Sequence, residues 1–135
     1  MSCEDVQILS DKEIPNTIRI LINQDRTDSI LVDSIGKFDW DELYILKPYL
    51  SKIQYQQLKS KIDNLPSSGP ATFEDEKTNY LVFTKNGIAI KFSEITRYPC
   101  CDFDEVGKGL NPALIRKGTY LYVRKYQDGR ISLYK

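Results

Sequence analysis

The dipeptide Asn86-Gly87 constrains the fold more than any other short stretch of this sequence. It lies between residues 79–84 and a return segment in which Ile88, Ile90 and Phe92 alternate with other residues. Both flanking segments have the β-branched and aromatic composition of strands. A two-residue type I′ turn needs positive φ at both central positions, and Asn-Gly is well suited to it. The sequence therefore predicts a β-hairpin over residues 79–92.

A second hairpin is predicted near the C-terminal end, where Asp128-Gly129 separates strands at 119–125 and 131–134. The stretch 96–118 between the two hairpins contains two prolines and three glycines, which favour turns over regular structure. We expect it to be irregular, with one helical turn at Ala113–Arg116.

The clearest helix signal begins at Ser51, the expected N-cap, with Gln54 placed three residues later as in a capping box. Leu50 and Tyr55 have the spacing of a hydrophobic staple around that cap. The apolar residues that follow share one helical face: Tyr55, Leu58, Ile62 and Leu65. The segment 66–70, with two prolines and a glycine, ends the helix in a loop.

The first third of the chain is less decisive. Residues 16–24 fit a helix capped by Asn16 or Thr17, or a strand, and we favour the helix. Residues 30–32 indicate a short buried element, and 39–46 a strand that ends at Pro48, which lacks a backbone N–H.

These elements predict a single domain over residues 1–135, with the polar residues 1–13 expected to be flexible. The predicted class is α+β: an antiparallel sheet of about four to five strands with one or two helices packed on one face.

The composition excludes several kinds of function. Nineteen basic and nineteen acidic residues give no net charge, which argues against a nucleic-acid binder held by bulk charge. The chain has no histidine, so histidine-based nucleophile pairs and two-histidine metal sites are absent. No apolar run reaches the length of a membrane span, no signal peptide is recognisable, and three cysteines do not form a secreted disulfide framework. We expect a cytoplasmic protein without a cofactor.

The charge is nevertheless unevenly distributed. Residues 1–47 hold ten acids and five bases, whereas residues 108–135 hold seven bases and one acid. Such segregation suits association with a partner, although it also occurs when the two ends face solvent separately.

Two segments carry a family resemblance: a W-D-x-L-Y stretch around Trp40 that continues to Pro48-Tyr49, and an L-V-F-x-K-x-G stretch at residues 81–87. With Glu94, Arg97 and Asp102-Phe103, the chain resembles a widespread family of small bacterial proteins without a settled activity. The resemblance covers roughly residues 38–103, and it implies a fold more than a function.

The first candidate site surrounds the only tryptophan. Asp39, Asp41 and Glu42 flank Trp40, and they are either a carboxylate pair for acid-base chemistry or an acidic rim around an aromatic anchor for a protein. The alternative is that Trp40 lies in the core and the acids lie in a solvated loop, as is usual for a lone tryptophan in a small domain.

The second candidate site is the loop that contains Cys100-Cys101. Asp102, Asp104 and Glu105 follow the cysteines, but adjacent side chains chelate one ion poorly and zinc needs about four ligands, so we predict two free thiols and no metal. Arg97 and Tyr98 precede the loop. The guanidinium either clamps an anionic ligand or, as we favour, braces its own loop against an acid such as Asp102.

The last hairpin interleaves tyrosines with bases, a composition that can hold single-stranded nucleic acid. Leu121 and Val123 are expected to face the core, which places Tyr120 and Tyr122 outward beside Arg124. Cross-strand tyrosines also stabilise an exposed sheet by themselves, and no RNA-binding motif is present, so nucleic acid is the less favoured partner.

The function we predict from the sequence is a non-enzymatic protein-binding module, of the kind exemplified by a bacterial immunity protein that neutralises a cognate toxin. The expected contact residues are Asp39, Trp40, Asp41, Glu42, Arg97, Tyr98, Asp102, Asp104 and Glu105. The alternatives are a domain that binds single-stranded RNA or an anionic ligand through the last hairpin, and a small enzyme with a pocket formed by Asp41, Glu94 or Asp102.

Overall fold

A computed structural model describes residues 11–24, 28–66 and 76–135. In chain order the elements are α1 (Glu13–Ile22), β1 (Ser29–Leu31), a 3₁₀ turn (Val32–Ser34), β2 (Glu42–Leu46), α2 (Lys52–Lys59), β3 (Thr78–Lys85), β4 (Ile88–Thr96), β5 (Asp102–Glu105), β6 (Ala113–Arg116), β7 (Tyr120–Lys125) and β8 (Ile131–Tyr134).

The described strands form two four-stranded sheets. The first has the order β4-β3-β2-β6 and is antiparallel throughout. The second has the order β1-β7-β8-β5, and its one parallel pair is β5 with β8. The α+β class is confirmed, with eight described strands in two sheets where the sequence indicated four to five strands in one.

The main core lies between the two sheets. Alternation along each strand sends one set of side chains into this core, including Leu43 and Phe83 from the first sheet and Leu121 and Leu133 from the second. α1 joins the same core through Ile14, Ile18 and Ile22, whose spacing of four residues places them on one helical face.

The other face of the first sheet is covered by α2. The predicted capping box is present: Ser51 Oγ accepts from the Gln54 N–H at 3.0 Å, and the Gln54 side chain accepts from the Ser51 N–H at 2.9 Å. Leu50 and Tyr55 are both buried in a second core cluster, with Leu46, Leu58 and Val82. α2 ends at Lys59, so Ile62 and Leu65 contribute to this cluster from the turn that follows and not from the helix.

Several local predictions are confirmed. Residues 16–22 are helical, and Asn86 and Gly87 both have positive φ, at 52° and 77°, as a type I′ turn requires. The strands at 79–84, 119–125 and 131–134 are also observed to within a residue or two. Most of the loop predicted over residues 66–70 lies outside the described residues.

Other local predictions are wrong. Residues 113–116 form strand β6 and not a helical turn, because Ala113 and Ile115 enter the core while Leu114 and Arg116 face outward. α1 begins at Glu13, before the predicted caps Asn16 and Thr17, and the Glu13 N–H is bonded to the Asp11 carboxylate at 2.8 Å.

Flexibility was expected for residues 1–13, of which 1–10 lie outside the described residues. Asp11 is attached to β4 by its N–H, which donates to the Phe92 carbonyl at 2.7 Å, and by an ion pair with Lys91 at 2.8 Å. Residues 11–13 are therefore part of the folded domain.

The outer face of the second sheet carries Tyr120, Tyr122, Arg124 and Tyr134, and we call it the open face. Tyr120 and Tyr122 are 54% and 47% exposed, while the described helices pack elsewhere. Neither described helix has the length and apolar composition needed to cross a membrane.

Candidate protein-binding site

Trp40 lies in the main core and is 1% exposed. Its Nε1 donates to the Gly36 carbonyl at 3.0 Å, and its ring meets Phe83 edge-on with centroids 5.1 Å apart. Gly36 has no room for a side chain, since a Cβ there would lie 2.9 Å from the Phe38 ring and 3.0 Å from Trp40 Nε1. The inclusion of Trp40 among the contact residues was therefore wrong, and the core alternative holds.

The acids around Trp40 brace the β3–β4 turn. Lys85 Nζ lies 3.2 Å from a carboxylate oxygen of both Asp39 and Asp41. The Asn86 N–H donates to Asp41 at 2.8 Å, and this bond, followed by the one from Lys85, lowers the pKa of Asp41. Glu42 pairs with Arg116 on the neighbouring strand at 3.3 Å. Each of these acids already has a partner within the fold, which favours a structural role.

Arg97 braces its own loop, as predicted. Its Nε donates to Asp102 at 3.0 Å and its Nη2 to the second oxygen at 3.4 Å, while Nη1 donates to the Glu76 carbonyl at 2.7 Å. Burial is the largest single influence and opposes the charge on Arg97, but the bond to Asp102 and the nearby negative charges together outweigh it and raise the pKa of the guanidinium. Arg97 thus fixes both the start of β3 and the start of β5.

Lys47, just after β2, lies beneath this loop and is 4% exposed. Its Nζ donates to the carbonyls of Asp104 and Gly107, both at 3.1 Å. Desolvation lowers the pKa of this ammonium, and the nearby carboxylates of Asp104, Glu105 and Asp102 oppose that shift. Lys47 therefore attaches the first sheet to β5 of the second and holds the loop in place.

Exposed aromatic and apolar side chains surround the Arg97 loop. Tyr98 is 46% exposed and Tyr49 is 64% exposed, and the Tyr49 hydroxyl donates to Glu76 at 2.8 Å. Leu110, also exposed, is held nearby because Asn111 bonds to the backbone of Lys47 and Pro48. We call this set the end surface: Tyr49, Glu76, Arg97, Tyr98, Asp102, Asp104, Glu105 and Leu110.

Three members of the end surface were not predicted from the sequence: Tyr49, Glu76 and Leu110. Tyr49 reaches the end surface because it has a positive φ of 64°, which is uncommon for an aromatic residue, and because its partner Glu76 is far away in sequence. A Pro-Tyr pair directly before a helix cap was the available signal, but the contact itself depends on the tertiary fold.

The structure does not bring the two predicted halves of the site together. Asp41 lies beside Lys85 at the turn of the β3–β4 hairpin, whereas Arg97 lies at its open end, where its N–H bonds to the Lys77 carbonyl. Eight strand residues at about 3.4 Å each separate these ends by roughly 27 Å. A pocket formed by Asp41 and Asp102 is therefore not observed.

Cys100 and Cys101 are joined by a disulfide, so the prediction of two free thiols was wrong. They line a small polar cleft of about 110 Å³ between α1 and the end of β4, together with Arg19 and Glu94. No group of three potential metal-ligating side chains occurs within residues 11–24, 28–66 and 76–135.

These features define a two-sheet α+β domain with a braced, tyrosine-bearing end surface. No protein-family model matches the chain, and comparison with curated proteins and with solved structures finds no match. The resemblance carried by the tryptophan and hairpin motifs stays a prediction.

Proposed function

We propose that this chain is a non-enzymatic protein-binding module, a small cytoplasmic bacterial inhibitor of the immunity type that neutralises a cognate toxin or effector through its end surface. The observation that carries the proposal is the arrangement around Arg97. One guanidinium holds the β5 carboxylate Asp102 and the Glu76 backbone, and exposed Tyr49 and Tyr98 stand beside it.

Rigidity supports this role. Association is weakened by the entropy of ordering the contact surface, and a surface that is fixed beforehand avoids part of that cost. Arg97, Lys47 and Asn111 fix the backbone of the end surface by hydrogen bonds of 2.7–3.2 Å. Among the side chains of the end surface, tyrosine and arginine are types that often carry the binding energy of protein interfaces.

Charge adds specificity at the same place. Asp104 is exposed, and no described basic side chain forms an ion pair with it, whereas Asp102 is paired with Arg97 and Glu105 with Lys108. Asp104 is therefore available to a cationic group of a partner, and such rim charges chiefly govern association rate and partner choice.

The test starts by expressing the tagged chain in its source cells, capturing it by its tag and identifying the retained proteins by mass spectrometry. The purified partner is then titrated against the chain by interferometry. Tyr49→Ser and Tyr98→Ser are each expected to weaken binding about tenfold or more, as loss of an interface anchor does. Tyr126→Ser removes an exposed tyrosine from the β7–β8 turn and is the matched control.

Inhibition is measured separately, by co-expressing chain and partner and scoring growth. The wild-type chain is expected to restore growth, and the end-surface variants are expected to fail. If all three tyrosine variants bind as well as the wild type, the end surface is not the binding site. If the partner's activity is unchanged on binding, the inhibitory role is refuted.

A further inference from the structure

The open face is a second exposed surface, distinct from the end surface. It lies on the broad side of the second sheet, and its three tyrosines come from the two central strands: Tyr120 and Tyr122 from β7, and Tyr134 from β8. Leu121 and Leu133, which alternate with them, are fully buried. The tyrosines are thus fixed outward by the same alternation that forms the core.

We propose that the open face binds single-stranded nucleic acid. The nucleobases stack on Tyr120 and Tyr122, and the phosphates are held by basic side chains of the β7–β8 hairpin. An open four-stranded sheet with aromatic rings on its central strands is a general way to bind unpaired bases. The zero net charge and the lack of RNA-binding motifs favour a protein partner over nucleic acid. The placement of these rings together on one exposed face favours nucleic acid as the ligand of the open face.

The geometry of the rings suits stacking. Tyr120 and Tyr122 are two residues apart on one strand, which separates them by roughly 7 Å. Tyr122 and Tyr134 are cross-strand neighbours with ring centroids 5.6 Å apart and planes inclined by 33°, so each supports the other. Arg124 lies over Tyr134 at 4.6 Å, where its planar guanidinium extends the platform and can itself stack on a base.

The local charge complements phosphate. Residues 120–135 contain four basic side chains and one acid, a balance of +3 within a chain of zero net charge. The acid, Asp128, pairs with Arg130 at 2.7 Å, and no described carboxylate forms an ion pair with Arg124, Lys125 or Lys135. Of these three cations, Arg124 shares the open face with the tyrosines, whereas Lys125 and Lys135 alternate with Arg124 and Tyr134 and lie at the ends of β7 and β8, where they are available to a polynucleotide backbone only at the rim of the face.

Other charges restrict the path of the strand. Arg116 is paired with Glu42 and Lys117 lies over Trp40, so neither contributes to the face. Asp104 on β5 borders the opposite edge and repels phosphate. The strand is therefore expected to follow β7 and to cross towards β1, away from β5. With one phosphate contact from Arg124 and up to two more from the rim lysines, the affinity is expected to be modest and to fall with salt, with a slope of roughly 1 to 2 in a log–log plot.

The test uses fluorescence anisotropy with 5′-fluorescein octamers of uridine and of thymidine at low salt. An abasic octamer has the same phosphates without bases, and a duplex has bases that cannot stack on protein. We expect the uridine or thymidine strand to bind, and both the abasic and the duplex probes to bind at least fivefold more weakly. The two single strands differ in the 2′-hydroxyl and in the 5-methyl group of thymine, so their comparison tests these two groups together.

Matched variants locate the site. Tyr122→Ser and Arg124→Gln are each expected to weaken binding of the single strand at least fivefold, the low end of the loss on removing a stacking ring. Tyr49→Ser and Arg116→Gln remove an exposed tyrosine and an exposed arginine elsewhere, and they are expected to leave binding unchanged. Arg124 is exposed, so its variant remains informative if Tyr122→Ser lowers stability.

Three results overturn the proposal: no binding of either single strand at 100-fold excess of protein over probe, equal binding of the abasic strand, or equal losses in the control variants. If the strands do not bind and Tyr122→Ser instead weakens capture of the protein partner, the open face is a protein contact. If the wild-type chain does not bind the single strands but keeps its end-surface interaction, this proposal alone is refuted and not the inhibitory function.

Discussion

The change Trp40→Phe tests whether this side chain holds the two sheets together. The indole is fully buried, donates to the Gly36 carbonyl at 3.0 Å and packs edge-on against Phe83. Phenylalanine keeps an aromatic ring at the position but removes both the N–H donor and part of the ring. We expect a folded but clearly less stable protein.

The magnitude follows from two losses. Gly36 is buried, so its carbonyl loses a partner and cannot gain water freely, at a cost of about 1–3 kcal/mol. The smaller ring removes two to three methylene equivalents of buried apolar surface, at about 0.8 kcal/mol each, or about 2 kcal/mol. The expected decrease in the free energy of unfolding is about 3–5 kcal/mol.

The assay is urea denaturation followed by circular dichroism, because the variant has no tryptophan fluorescence. Tyr120→Phe removes only a hydroxyl from an exposed ring, and as a control it is expected to shift stability by less than about 0.5 kcal/mol. In the wild type, Trp40 emission is expected to be blue-shifted and resistant to iodide. A Trp40→Phe decrease below 1 kcal/mol, or ready quenching of Trp40 by iodide, refutes the placement of this residue in the core.

Three further outcomes are expected. Ser51→Ala removes the cap of α2 and should lower the free energy of unfolding by about 1 kcal/mol, measured by the same denaturation. Gln57→Ala, at an exposed position inside α2, is the control, and no difference between the two variants contradicts the capping role. A double-mutant cycle of Arg97→Gln and Asp102→Asn should give a coupling of about 1–2 kcal/mol, since both side chains are largely buried, and additive effects argue against a stabilising pair. Burial raises the pKa of Tyr55 to about 12, whereas an unfolded tyrosine ionises near 10, so the unfolded state loses its proton first and stability should fall as pH rises from about 10 to 12. Tyr55→Phe should remove this pH dependence of the free energy of unfolding, measured from about pH 10 to 12, and the control Tyr126→Phe should keep it. An unchanged pH dependence in Tyr55→Phe contradicts the attribution to Tyr55.

Local signals predicted the elements whose stabilising contacts are close in sequence. Ser51 and Gln54, which are three residues apart, cap α2, and Asn86-Gly87 forms a turn by its own conformational preference. Arg97 pairs with Asp102, which is five residues away. Each of these interactions depends on a few adjacent residues, so composition and spacing are sufficient to indicate it.

The missed elements depend on distant partners. β6 has only four residues, and it is a strand because Ile115 pairs with Leu43 of β2, which no local pattern shows. The same reason explains the failure to predict one functional site from residues 39–42 and 97–105. Both segments are acidic and near aromatic residues, but the β3–β4 hairpin between them determines that they lie at opposite ends.

The pairing of Ser29 in β1 with Tyr122 in β7 determines when this protein can acquire its native structure. During synthesis, the β3–β4 hairpin and α2 can form early, but the second sheet must wait until almost the whole chain has been made. Closing so long a loop is entropically costly before any contact offsets it, so folding is expected on the slower, millisecond-to-second scale of proteins rich in distant contacts. Until then the apolar side of the first sheet remains exposed, and this interval is when the nascent chain is most prone to aggregate and most dependent on chaperones.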